Sequence, residues 1–219
     1  RFDNRDTGLS TKLDQFPVDR GQLISAASSG DLETVRALAP YRLEDLADDA
    51  ASLVGALGLD RVHVVGASLG GMVAQLTAIR HPDLVATLTS MMSSTGSPDV
   101  GQWTPEAFAA LMSPLPPDRD GYIAGTVAAS QVWASKRHFD KTSAAALAAA
   151  SYDRGLCPGG TDRQLAALLA TGSLENDLAG LRLPALVIHG TDDTLIAPSG
   201  GERTAELIAD AELLIVTDM

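Results

Sequence analysis

The chain has 219 residues, a length that suits one large α/β domain with an insertion. Hydrophobic residues make up 45% and aromatics only 4%, so the core is built from Ala, Leu, Val and Ile, and no apolar run is long enough to span a bilayer. A formal net charge of −12 without any basic stripe argues against nucleic acid or an anionic membrane as partner.

Arg1-Phe2-Asp3 reads as the last residues of a strand, followed by the turn Asn4 to Gly8. Residues 11–40 form a polar connection with one short helix, Asp31 to Leu38, ended by Pro40. Leu43 to Leu57 is predicted as a helix: Leu43, Leu46, Ala50, Leu53, Val54 and Leu57 recur at helical spacing, and Gly58 supplies the stop. A buried strand, Val62 to Val65, is followed by a helix from Leu69 to Arg80, which His81-Pro82 ends, and then by a strand from Val85 to Met92. That β-α-β-α-β order predicts a parallel sheet with helices on both faces. Residues 97–180 show helical segments around Pro105–Met112, Tyr122–Ala134, Thr142–Tyr152 and Arg163–Ala170, and no convincing strand. Strand character returns at Ala185 to Ile188 and at Glu212 to Val216. The pattern divides the chain into a partial α/β core, 1–96 and 181–219, and a helical lid, 97–180, expected to cover the strand ends where ligands bind in open α/β sheets. With a strand ending at its first residues and another close to its last, the chain reads as an internal piece of a longer one.

Val62-His63-Val64-Val65-Gly66-Ala67-Ser68-Leu69-Gly70-Gly71 is the segment that carries chemistry. An apolar strand runs into Gly-x-Ser-x-Gly, and a helix follows at once. This is the pattern of a nucleophile elbow, a strained turn that lifts Ser68 above the end of a parallel sheet. Side chains at Gly66 and Gly70 are expected to collide with neighbouring backbone. The helix start directs free N–H groups toward the serine, where negative charge develops in acyl transfer. The plainer alternative is an ordinary strand-to-helix turn with a capping serine.

A serine hydroxyl needs a base, and the base needs an acid that holds its tautomer. In this motif class the acid follows the serine in the chain. Ile188-His189-Gly190-Thr191-Asp192-Asp193 offers a strand, a tight turn and two carboxylates. Asp193 is the candidate acid and Asp192 the alternative; solvated turn residues are the plain reading of both. Of the four histidines, 63, 81, 138 and 189, none follows Asp193, and each reads more simply as a core, cap or surface residue. Cys157 is the sole cysteine, which excludes an internal disulfide, and no histidine pairs with it locally. No His-x-x-x-His and no cysteine cluster occurs, so neither metal nor cofactor is expected. With no signal peptide in view, the default compartment is cytoplasmic; the oligomeric state stays open.

These residues resemble the α/β-hydrolase superfamily, and within it the serine esterase/lipase-like branch that includes the aclacinomycin methylesterases. Asp3-Asn4-Arg5-Asp6-Thr7-Gly8-Leu9-Ser10, Tyr41-x-Leu43-x-Asp45-Leu46-Ala47-x-Asp49, the Ser68 segment, Arg80-His81-Pro82, Tyr152-Asp153-Arg154-Gly155 and Leu186 to Asp193 carry the resemblance. It implies that Ser68 is the nucleophile, Asp193 the triad acid and the Leu69 N–H one oxyanion donor. It implies a second donor from an earlier loop, and a histidine just beyond Thr217-Asp218-Met219. The implied substrate is a small carboxylic ester. C–C bond hydrolysis, cofactor-free perhydrolysis or a non-catalytic small-molecule receptor are the alternatives on the same fold.

Overall fold

The computed structural model describes residues 1–219. The elements run α1 (Arg20–Ser29), α2 (Leu32–Leu38), α3 (Leu43–Ala56), β1 (Val62–Ala67), α4 (Leu69–Arg80), β2 (Val85–Met91), α5 (Pro105–Met112), α6 (Arg119–Trp133), α7 (Lys141–Arg154), α8 (Gly160–Thr171), α9 (Glu175–Leu178), β3 (Ala185–Gly190), α10 (Ser199–Leu207) and β4 (Ala211–Val216). The four strands form one all-parallel sheet in the order β1-β2-β3-β4. No helix is long and apolar enough to cross a membrane.

Helices flank the sheet, and the two that pack most closely against the strands, α4 and α10, lie on one face. Gly66 and Ser90 face α4, and His189 faces α10. Gly66 pairs with Ser90 and Ser90 with Val187, and Val187 and His189 are two apart on β3, so all four side chains share a face. Handedness is the cause. Each strand is added on the same side of the last, and a right-handed crossover then delivers every helix to the same face. Val65, on the other face, is exposed.

The main core lies between the sheet and its helices. Leu43 and Leu46 from α3, Met72, Val73 and Leu76 from α4, and Val85 and Leu88 from β2 meet there. Ala167, Leu174 and Leu178, from the far end of the helical segment between β2 and β3, join the same core. A second cluster ties α8 to α1 and α2 through Leu23, Val35, Ala166 and Ala170. The caps follow the sequence. Asp19, Asp31, Thr104, Asp118 and Asp140 each accept an N–H from the first turn of the helix they precede.

Two elements differ from the sequence reading. Arg1-Phe2-Asp3 is not a strand and pairs with no neighbour; Asp3 instead accepts the Leu9 N–H at 2.9 Å and the Arg154 guanidinium at 2.7 Å. Helix α1 lies in what reads as connection, because only Leu23 and Ala26 are buried and no apolar stripe announces it. Helix α10 opens Ser199-Gly200-Gly201. Its glycines are there for close packing: a Cβ on Gly200 would stand 3.0 Å from the Ser93 carbonyl oxygen, and one on Gly201 2.5 Å from His189 Nδ1.

One buried ion pair joins the start of the chain to α8. Asp6, in the left-handed region at φ 66°, is 3% exposed and Arg163 is 2% exposed. Arg163 donates twice to the Asp6 carboxylate at 2.8 Å; the Tyr41 hydroxyl and the Leu13 N–H donate to it at the same distance. Burial alone would raise the Asp6 carboxyl, but Arg163, the Leu13 N–H and Tyr41 outweigh it and hold the group below the usual carboxylate range. Every lone pair is used, so the pair is costly to break. Arg163→Met strands a buried carboxylate and should lower unfolding free energy by about 3–5 kcal/mol, read from urea midpoints. Because the folded-state value is depressed, the pair's contribution is complete above the unfolded Asp value of about 3.9 and is lost as pH falls through the lower folded value. The gap between wild type and Arg163→Met should therefore narrow in urea titrations below about pH 4.

Candidate active site

Val62 to Ala67 supplies the strand on which the site is built, and its end is fixed from β2: the Ser68 N–H donates to the Met91 carbonyl at 2.9 Å. The chain then reverses within one residue. Ser68 has φ 54° and ψ −127°, a conformation that non-glycine residues rarely adopt. The turn is held from two directions. The Gly71 N–H donates to the Ser68 carbonyl at 2.8 Å, and the Ser93 hydroxyl donates to the same oxygen at 2.8 Å. Although Ser68 stands at the N-cap of α4, its hydroxyl makes no capping bond. The strain is thus not spent on a helix cap. Leu69 is the first residue of α4, and helix geometry leaves its N–H without an intrahelical acceptor.

The two glycines of the motif behave differently. A Cβ on Gly66 would overlap the carbonyl of Gly70. A Cβ on Gly70 would meet nothing within 4 Å, so the expected collision at Gly70 is absent: its Cβ direction leads away from β1 into open space. Gly71 is the second tight position, its Cβ 2.5 Å from that of Ser93. Sequence reasoning passed over Gly71 and Ser93, since the doubled glycine and the serine-rich loop after β2 gave no sign that they touch.

Asp193 and Asp192 are separated by their surroundings. Asp193 Oδ1 accepts the Leu195 N–H at 2.9 Å and the Ile196 N–H at 2.8 Å, and its side chain is 15% exposed. Its Oδ2 lies 3.3 Å from His189 Nε2. Asp192 receives only a long contact, 3.4 Å, from the Thr191 hydroxyl. The Asp193 turn follows β3 and Ser68 follows β1, with β2 between. Ala67 is level with Met91 and Met91 with Ile188, so both turns leave the same edge of the sheet, two strand spacings or about 10 Å apart.

The histidines have other bonds. His63 Nδ1 meets the Thr87 hydroxyl at 2.8 Å, and His81 Nε2 meets Asp48 at 2.7 Å. Asp48 also takes a bidentate pair from Arg80. His138 lies in the turn between α6 and α7, its N–H bonded to the Ser135 hydroxyl. His189 is 1% exposed, beneath the Asp193 turn. Cys157 is half-buried, 3.3 Å from Arg163; burial first, then Asp14, pushes its thiol up, which disfavours the reactive thiolate. Gly66→Ala should destabilise by about 2–3 kcal/mol through backbone overlap. Gly70→Ala should leave the thermal midpoint unchanged or raise it, since a helical Gly-to-Ala change with room to spare gains up to about 1 kcal/mol.

The alpha/beta hydrolase fold family model matches residues 20–218. The carbamate hydrolase candidate RutD of Caulobacter sp. (strain K31) is 28% identical over 176 residues, 80% of this chain and 63% of its own length. Rhodomycin D methylesterase DauP of Streptomyces sp. (strain C5) is 35% identical over 92 residues, 42% of this chain and 24% of its own. In both cases the match spans less than two thirds of the relative. Among solved structures, Est816, an N-acyl homoserine lactone degrading enzyme, superposes with a TM-score of 0.67 at 23% identity, covering 99% of this chain and 73% of that one. The parallel sheet, the turn at Ser68 and the matching family model agree: the chain belongs to the alpha/beta hydrolase family.

Proposed function

We propose that this chain carries the nucleophile and the acid of a serine hydrolase that cleaves small carboxylic esters, and that a histidine outside residues 1–219 completes the triad. The observation that carries the reading is Ser68: strained, uncapped and set at the start of α4. A turn that holds a serine in this conformation without using its hydroxyl structurally is accounted for by a role for that hydroxyl. The methylesterase relative supports an ester as substrate.

The chemistry follows from the geometry. Ser68 Oγ bonds to the ester carbonyl carbon as the base removes its proton. The carbonyl oxygen becomes an oxyanion beside the Leu69 N–H, where the start of α4 favours negative charge. The tetrahedral intermediate expels the alcohol, which takes the proton from the base. Water then attacks the acyl-serine with the same base, releasing the acid and restoring Ser68. Asp193, with Oδ1 fixed by two N–H groups, keeps Oδ2 to orient the base and stabilise its charged form. The base would enter beside the acid turn, because the residues after β4 already lie there: the Asp192 N–H donates to the Met219 carbonyl at 2.7 Å, and the Asp218 N–H to the Thr191 hydroxyl at 2.9 Å. The helical segment 97–180 acts as the lid that shapes the pocket for the acyl or alcohol group.

Turnover of p-nitrophenyl acetate and butyrate by the full natural protein tests the reading. Ser68→Ala should reduce kcat by about 10⁴-fold or more, and Asp193→Asn by about 10³- to 10⁴-fold, both with unchanged circular dichroism. Turnover that survives Ser68→Ala would refute it.

A further inference from the structure

His189 is a buried, titratable side chain for which the proposed reaction has no use. Its ring is enclosed on one side by Gly201 of α10, whose absent Cβ leaves the space the imidazole fills. Nε2 lies 2.7 Å from the Ile196 carbonyl oxygen. A carbonyl can only accept, so Nε2 carries the proton. Nδ1 is buried with no partner. A buried polar atom left unsatisfied is costly, so an apolar residue of similar size would suit the core better unless the Nε2–H bond matters.

That bond holds one particular loop. Ile196 accepts from His189 through its carbonyl and donates through its N–H to Asp193 Oδ1. The same Nε2 lies 3.3 Å from Asp193 Oδ2. His189 thus grips the loop that returns from the acid and touches the acid as well, from the rigid end of β3.

Resting on the ester-hydrolase reading above, we infer that His189 is a positioning residue, which fixes the Asp193 carboxylate through the Ile196 carbonyl and does not itself exchange a proton with substrate. The acid is therefore set by the strand as well as by its own loop. The inference separates His189 from the role of triad base, which its closeness to Asp193 would suggest.

The test uses the full natural protein, with kcat expressed per serine titrated by a phosphonate so that misfolded molecules do not count. His189→Leu removes the donor. His189→Gln keeps an N–H at a comparable reach. His189→Leu should lower kcat by about 10- to 100-fold with KM within about twofold, the scale of a carboxylate misplaced by about 1 Å. His189→Gln should recover most of that loss. Gly201→Ala, which crowds the ring while leaving the acid loop's sequence intact, should lower kcat by a smaller factor, and it stands in if His189→Leu does not fold. Wild-type kcat per titrated site in His189→Leu, no recovery by His189→Gln, or full kcat in Gly201→Ala when His189→Leu is unfolded overturns the inference. Ser68→Ala and Asp193→Asn serve as controls. If both abolish turnover while His189→Leu retains it, this inference alone fails; if Asp193→Asn retains it, the triad assignment fails too, since no acid remains to be positioned.

Discussion

The close approach of Gly66 to the Gly70 carbonyl is the constraint on which the site depends. It lets α4 start directly over the end of β1, and no side chain fits between them. With that contact in place the single residue left to make the reversal is Ser68, and its left-handed φ is the consequence. The Met91 carbonyl and the Ser93 hydroxyl then brace the turn from β2 and the loop beyond it. A strained φ of this kind costs about 1–3 kcal/mol and persists only when its surroundings over-determine it. Here they do, through three hydrogen bonds and two close-packed glycines, Gly66 and Gly71.

The parallel sheet turns that local geometry into a site. Parallel strands all end on one side of the sheet, so the turns after β1 and β3 emerge on that side, with β2 between them, without any further instruction. The start of the chain is secured separately, through Asp6. A carboxylate buried with four donors binds the loop of residues 4–13 to Tyr41 and to Arg163 of α8. Arg154 and Gln164 add bonds from the same region to Asp3, Arg5 and Thr7. The far end of the helical segment is thereby anchored to the core, whereas α5, α6 and α7 pack mainly on one another.

Much of this was legible in the sequence because it is local. The periodicity of Leu43 to Leu57 shows the helix, and of its six apolar positions Leu43 and Leu46 are buried while Leu57, at the C-cap, is exposed; the Val62 to Gly70 run shows strand, turn and helix in register with the structure. Asp193 was distinguishable from Asp192 only by guess, since both are turn carboxylates and the difference is which one the Leu195 and Ile196 N–H groups reach. The partners of Asp6 were hidden because 157 residues separate it from Arg163, and no single sequence encodes such a pairing. Gly200 and Gly201 likewise serve contacts from outside their own helix: in the fold they admit Ser93, Ser94 and His189.

Covalent trapping tests the central claim most directly. The full natural protein would be treated with a fluorophosphonate, digested, and the modified peptide located by mass. The strained-serine account predicts one adduct per chain, on Ser68, with none formed by the unfolded protein. An intact, folded protein that takes no adduct, or takes it on another residue, would contradict the account and leave a fold that binds small molecules without this chemistry.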